Sequence, residues 1–303
     1  MTRPPNPDPA TFPYVVVSWE RGARLFVLDV PPCDSRSCPT PAIIAEVETS
    51  PGPHNVVAAG QVVWVTHPRE GRLSRYDVST GELVSEVVGS EPHDVALAPD
   101  GSVAYVSDEA GRRLVVVDPN TLTVVDEVPL PARPHNVEVV GDEVWVSLDR
   151  RDELAVVSGD ELELVPTGGA PHDLVVGGDG RLWISQWGSG GLLVVDPATW
   201  TVEGSASGLG NPQHFAVTPT GALWVSDNDG PTVAVFDTGA VEQVEVGVPQ
   251  HHLGWVAGRL IAAGVDSIVV VGSDSTATSI PVGRGLHGVA TGTTPALATT
   301  DGP

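Results

Sequence analysis

The chain has 303 residues, enough for a large core, and carries a formal net charge of −24 with arginine but no lysine. So acidic a surface repels nucleic acid and anionic membranes, which leaves a small molecule as the expected partner. No apolar run is long enough to span a bilayer, and Met1–Pro13 lacks a basic segment followed by an apolar one. The expectation is a cytoplasmic monomer, or a secreted one if Cys33 and Cys38 form a disulfide.

In chain order, residues 1–13 are Pro-rich and read as a loose arm. Tyr14 to Ser18, Arg24 to Asp29 and Ile43 to Val47 follow as three short strands. Cys33 and Cys38 sit in the long hairpin between the last two. They fit a small disulfide loop or two free thiols equally well, and no second pair accompanies them to suggest a metal knot.

From residue 53 a motif recurs about every forty residues. It reads Pro53-His54-Asn55-Val56, Pro92-His93-Asp94-Val95, Pro134-His135-Asn136-Val137 and Pro171-His172-Asp173-Leu174. Drifted copies follow at Pro212-Gln213-His214-Phe215, Pro249-Gln250-His251-His252 and Gly285-Leu286-His287-Gly288. After the motif comes a glycine turn (Gly60, Gly101, Gly141, Gly180, Gly221, Gly258). A strand with an aromatic at a fixed place follows: Trp64, Tyr105, Trp145, Trp183 and Trp224. A third strand ends in Asp77, Asp118, Asp196 or Asp237, and a turn leads to a fourth. Four short Val-rich strands per period predict one propeller blade.

The strand count predicts how the ring closes. The N-terminal piece has a second, third and fourth strand but no first. His287 to Thr291 supplies only a first strand. Six whole blades and one blade shared by the chain ends make an all-β, seven-bladed propeller over 14–292, with a tail at 293–303.

The Pro-His starts, the Pro99-Asp100-Gly101 turn and Tyr105-Val106-Ser107-Asp108 resemble the YVTN-type propeller repeat. The strand Leu182-Trp183-Ile184-Ser185 is similar to those of the streptogramin B lyase family. That resemblance implies a seven-bladed propeller, and a metal-dependent activity that uses histidine and glutamate on one face, with magnesium as the ion. No family residue maps one by one onto this chain, so lyase activity on a small natural product is an expectation of the resemblance alone.

Propeller geometry places the turn before strand 1 and the turn after strand 2 on the same face. The seven Pro-His segments therefore circle one mouth of the channel, with His67, Asp108, Gln186, Trp187, Asp227 and Asn228 from the neighbouring turns. Aligned on the first residue of each copy, His54, His93, His135 and His172 share one slot. Gln213, Gln250 and Leu286 fill it elsewhere, with His214, His251 and His287 one place on. That second slot holds Asn55, Asp94, Asn136 and Asp173 in the first four copies. Successive strand residues face opposite ways unless a bulge intervenes, so the sequence leaves open which slot faces the channel, and His252 competes with His251 as the inward group.

Imidazoles from several blades with carboxylates nearby suit copper, iron, zinc or nickel. The candidate ligands are His54, His93, His135, His172, His214, His251 and His287, with Asp94 and Asp173 as candidate bases. The same centre would serve a lyase or a copper- or iron-dependent redox enzyme. The competing readings are histidines that only hold backbone at the blade junctions, and a non-catalytic propeller that binds a ligand or protein. His67 reads as a surface turn residue, the aromatics as packing between blades, and the third-strand aspartates as turn formers.

Overall fold

A computed structural model describes residues 13–32, 39–187, 189–237, 240–272 and 275–293. Their strands form seven four-stranded antiparallel sheets. Six sheets are consecutive in sequence, with innermost strands Val56–Ala59, Pro92–Leu97, Pro134–Val140, Ala170–Val176, Pro212–Val217 and Gln250–Val256. We number these blades 1 to 6. Blade 7 joins the C-terminal strand Leu286–Thr293 to Pro13–Trp19, Arg24–Asp29 and Ala42–Glu48. In it Val17 lies opposite Val289 and Val15 opposite Thr291, with a bulge between Val17 and Trp19. The closure predicted from the strand count is thus present, and no open inner edge remains at the join. Pro13 and residue 293 pair with each other in this sheet. The rest of the arm and tail, and both cysteines, lie outside the described residues.

The core lies between blades. Tyr14, Val16, Leu25 and Val27 of blade 7 share one cluster with Val63, Val65 and Tyr76 of blade 1. Val15, Val17 and Phe26 meet Val256, Ile261 and Ile268 of blade 6 on the other face. Each sheet is therefore buried on both sides, which is why Tyr14–Val17 can be apolar at four successive positions instead of alternating. The outermost strands pack on nothing beyond, and Thr201–Ser207 is almost wholly exposed.

Trp64 and Trp145 are buried between blades, and their indole N–H groups donate to Pro119 O at 3.0 Å and Glu143 Oε2 at 3.1 Å. On the far face Asp77 Oδ1 accepts the amides of Ser79 and Thr80, Asp118 Oδ1 that of Asn120, and Asp196 Oδ1 that of Ala198. These aspartates form turns, as the sequence suggests.

Candidate functional site

The innermost strands enter the sheet through a bulge. In blade 2 Pro92 pairs with Asp108 and Val95 with Val106, so His93 and Asp94 together stand against Ser107. Blades 3, 4 and 5 repeat this between Pro134 and Val137, Pro171 and Leu174, and Pro212 and Phe215. In blade 6 the residue before the bulge is Gln250, opposite Gly264, and the one after it is Leu253. In blade 7 Leu286 pairs with Trp19 and Val289 with Val17.

This pairing corrects the alignment drawn from the sequence. Gln250 and Leu286 take the place of the proline, not of the histidine. His251 and His287 therefore share the first slot with His54, His93, His135 and His172, and only blade 5, with Gln213, departs. The second slot reads Asn55, Asp94, Asn136, Asp173, His214, His252 and Gly288. Glycine in blade 7 has a steric cause, because a Cβ there would lie 2.6 Å from the carbonyl oxygen of His54.

A hydroxyl on strand 2 fixes the bulge in six of the seven blades. Ser147 Oγ accepts the amide of Asn136 at 2.9 Å and donates to the carbonyl of His172, in the next blade, at 2.6 Å. Thr66, Ser107 and Ser185 repeat the pattern, donating to the carbonyls of His93, His135 and Gln213. Ser18 does so across the chain closure, from the Gly288 amide to the His54 carbonyl. The hydroxyls tie five first-slot residues, His54, His93, His135, His172 and Gln213, to a neighbour's second strand, whereas Ser226 donates to the His214 carbonyl in its own blade. In blade 6 the corresponding residue is Ala263.

The imidazoles form a closed ring. Centroid separations run 4.5 Å from His54 to His93, 3.9 Å to His135, 4.4 Å to His172, 5.2 Å to His214, 4.8 Å to His251, 4.3 Å to His287 and 3.5 Å back to His54. His252 stacks on His214 at 3.5 Å as an eighth member. The bulge lets both slots reach the channel, so first-slot and second-slot histidines meet in one cluster. Burial holds these side chains neutral: it lowers His54 to about 3 and the others in the same direction, with neighbouring imidazoles adding to the effect at all but His135.

Seven imidazole nitrogens in the cluster are buried without a hydrogen-bond partner among the described residues: Nδ1 of His54, His93, His172 and His251, and Nε2 of His214, His252 and His287. Buried lone pairs or N–H groups without partners are costly, and so many at one place point to something that belongs between them. Two groups have donor atoms within 4.8 Å of one another: His214, His251 and His252 on one side, and His93, Glu109 and His135 on the other.

Two hydrogen bonds and one close contact link the two groups. His135 Nδ1 lies 2.5 Å from Asn136 Oδ1, Asn136 Nδ2 donates to Asp173 Oδ1 at 2.9 Å, and Asp173 Oδ2 lies 3.1 Å from His214 Nδ1. With Nδ1 toward the carboxylate, His214 turns its Nε2 to the cluster. Burial pushes Asp173 up to about 7. Asp94 is pushed up to about 6, again by burial, but both its oxygens are engaged, by Asn55 Nδ2 at 2.9 Å and the Val137 amide at 3.0 Å. These second-slot groups line a channel cavity of about 360 Å³.

Glu109 was not singled out by the sequence. It follows Asp108 in the turn after strand 2, and its Oε1 lies 3.9 Å from His93 Nε2 and 3.8 Å from His135 Nε2. Arg133 Nη2 holds its other oxygen at 2.5 Å. Burial raises this carboxyl although Arg133 opposes the shift. Asp108 itself is structural: it accepts the amides of Ser90 and Glu91 and pairs with Arg113 at 2.9 Å. Asp227 likewise accepts the amides of Asn211 and Asp229, and Gln186 donates to the Gly168 carbonyl. The backbone amide of Asn228 donates to the Asn211 carbonyl. His67, expected at the surface, is fully buried between Ser74 Oγ at 2.8 Å and Thr49 Oγ1 at 3.3 Å, because the bonds to these hydroxyls draw it into the blade junction. Trp187 is half exposed at the mouth and meets His172 edge-on at 5.4 Å.

A scan against family models finds no match. A virginiamycin B lyase of Nocardia farcinica is 26% identical over 147 residues, which are 48% of this chain and 52% of that protein. The match thus spans about half of that relative's length. Among solved structures, a streptogramin B lyase superposes with a TM-score of 0.70 over 78% of this chain and 86% of its own, at 15% identity. It is similar to the streptogramin B lyases. Such a lyase from Staphylococcus aureus, a catalytically inactive His-to-Ala variant with quinupristin, gives a TM-score of 0.69 at 15% identity over 76% of this chain and 84% of its own. The likeness extends to a periplasmic gluconolactonase of Pseudomonas aeruginosa, with a TM-score of 0.76 at 16% identity over 94% of this chain and 100% of its own. At such identities the structural likenesses speak for the fold.

Proposed function

We propose that this streptogramin-lyase-like propeller is a metal-dependent enzyme whose centre is the imidazole ring and whose substrate is a small molecule at the channel mouth. The closed ring with its unpartnered buried nitrogens carries the reading. Histidines that served only as blade-junction struts would have those nitrogens bonded to backbone. Here the junctions are tied by hydroxyls instead, and the rings are left free to ligate.

The donor set fits copper, iron, zinc or nickel, which neutral imidazole suits. It fits magnesium poorly, since that ion requires oxygen ligands and Glu109 is the one carboxylate in either candidate group. One ion cannot take eight imidazoles. His214, His251 and His252 would hold one, and His93, Glu109 and His135 have the donors for another.

When bound, the ion would supply Lewis-acid polarisation of a substrate oxygen. The chain's own groups supply the rest. Asp173 faces His214 and, raised by burial to about 7, can accept or return a proton at its own carboxylate, while Asn136 holds its other oxygen in place. Both carboxylates are bound on both oxygens, Asp173 by Asn136 and the Phe215 amide, but of the two only Asp173 lies within ion-pair distance of an imidazole among the described residues, so Asp94 steadies the second-slot groups rather than acting as a base. Trp187 offers an aromatic face at the mouth. Elimination from a small natural product is the reaction this arrangement supports best. A copper or iron redox reaction is the second reading, favoured by the short path through Asn136 and Asp173 between the two imidazole groups.

The test is elemental analysis of protein purified without a histidine tag, followed by turnover of virginiamycin B with and without the metal found. Near-stoichiometric metal with metal-dependent ring opening supports the lyase. Metal without that activity moves the case to redox chemistry. No metal, and none taken up on titration, leaves a binding propeller.

A further inference from the structure

Positive charge is scarce in this chain, with 15 arginines against 39 acidic residues. Four of those arginines, Arg112, Arg133, Arg150 and Arg151, nevertheless line a single cavity of about 420 Å³, with Asp149 as its one carboxylate. Arg133 is tied to Glu91 and Glu109, and Arg151 to Glu153 at 2.7 Å. Arg150 reaches only to Asp149, at 3.7 Å, with its side chain 91% exposed. Among the described residues no ion pair is found for Arg112. Three of the four thus have a carboxylate partner, yet the cavity itself is bordered by four guanidinium groups and one carboxylate, a balance that favours an anion.

The backbone fixes where one of these arginines stands. At the turn into the third strand, blades 1 and 4 place Gly71 and Gly190 in the left-handed region, at φ 66° and 67°. Blade 2 holds Arg112 there, at φ 51°. Blade 7 holds Ala23 at the same turn, at φ 50°, so the position accepts a residue with a Cβ at some cost, and in blade 2 that residue is an arginine bordering the cavity. The cavity also adjoins the ring, because Arg133 lines it and bonds Glu109, which faces His93 and His135.

We propose that this cavity is an anion-binding subsite that takes a carboxylate or phosphate carried by the substrate and sets it beside the Glu109 side of the imidazole ring. Guanidinium forks bind both oxyanions through paired N–H donors. The subsite deepens the enzymatic reading by naming an anionic substrate class, and rests on that reading only for the word substrate.

The experiment uses the full chain, stripped of metal by chelation. Malonate and inorganic phosphate are titrated separately at low salt and followed by calorimetry. The subsite predicts saturable one-site binding of at least one probe, and the preferred probe identifies carboxylate or phosphate as the group recognised. The Arg112→Gln/Arg150→Gln variant should weaken that binding at least about tenfold, the loss expected for charge-assisted bonds. Arg150→Gln alone, at an exposed side chain with no role in folding, should weaken it too. Arg181→Gln, at a turn between the first and second strands of blade 4, should not. Failure of both probes to saturate, or arginine variants that bind like the wild type, overturns the subsite. Since no metal or turnover enters the measurement, its result is separable from the fate of the metal centre.

Discussion

Ser147→Ala tests how the ring is held. Ser147 is fully buried, and its hydroxyl accepts the Asn136 amide at 2.9 Å and donates to the His172 carbonyl at 2.6 Å. Alanine leaves both backbone groups without a partner. The space vacated is a single oxygen, too small for a bridging water. Each buried unsatisfied group costs about 1–3 kcal/mol, so the pair should cost about 2–4 kcal/mol after partial relaxation. At about 2 °C per kcal/mol, the value for larger domains, the melting temperature should fall by about 4–8 °C. The assay is calorimetric melting of the metal-free chain, with urea unfolding to show an unchanged m-value. Ala263→Ser is the reciprocal variant, since blade 6 lacks the hydroxyl, and it should raise the melting temperature or leave it unchanged. A Ser147→Ala protein that melts within about 1 °C of the wild type would refute the claim that the hydroxyls tie the ring.

Other perturbations have definite signs. His214→Ala should abolish metal at its group and His93→Ala should lower the total occupancy, measured by elemental analysis; full occupancy in both would make the histidines structural. Glu109→Gln keeps the shape but removes the charge, so it should weaken metal binding at the His93 side by about ten- to a hundredfold while His214-side binding is unchanged. Deleting residues 286–303 removes the first strand of blade 7, exposes the edge of Pro13–Trp19 and should destabilise the whole domain; a truncated chain that melts like the full one contradicts the closure. Acidification should destabilise the metal-free protein. All nine histidines are lowered in the folded state, so below about pH 6.5 the unfolded chain takes up protons that the native one refuses. Asp94, Asp173, Glu109 and Glu138 are raised and work the other way over the range from their unfolded values upward, but they are outnumbered. Stability that holds or rises from pH 7 to pH 5 would contradict the burial of neutral imidazoles.

The blade count, the closure and the convergence of the histidines were legible because they follow from a forty-residue period and from the alternation of antiparallel strands. The register of blades 6 and 7 was not. Pro249 and Gly285 mimic the start of the motif, and only strand pairing shows Gln250 and Leu286 in the proline position. The bulge was equally hidden, so the choice between inward slots was posed where both slots contribute. Glu109 and the cluster of arginines escaped notice for one reason. They sit in turns of unequal length, where no repeat marks them, and they meet only because the turns after strand 2 of blades 2 and 3 lie beside the connection that carries Arg133 into blade 3. His67 resembled a turn residue because the hydroxyls of Thr49 and Ser74 that draw it inward are remote from it in sequence.

The central claim is a metal ion held by imidazoles on the propeller axis. Anomalous diffraction, collected at the absorption edge of the metal found by elemental analysis, locates such an ion without assuming its ligands. The expected result is a peak about 2.0–2.2 Å from imidazole nitrogens of His214, His251 and His252, with a second beside His93, Glu109 and His135 if that group is also loaded. A crystal of metal-replete protein with no peak at the ring, or with its only peak elsewhere, would contradict it.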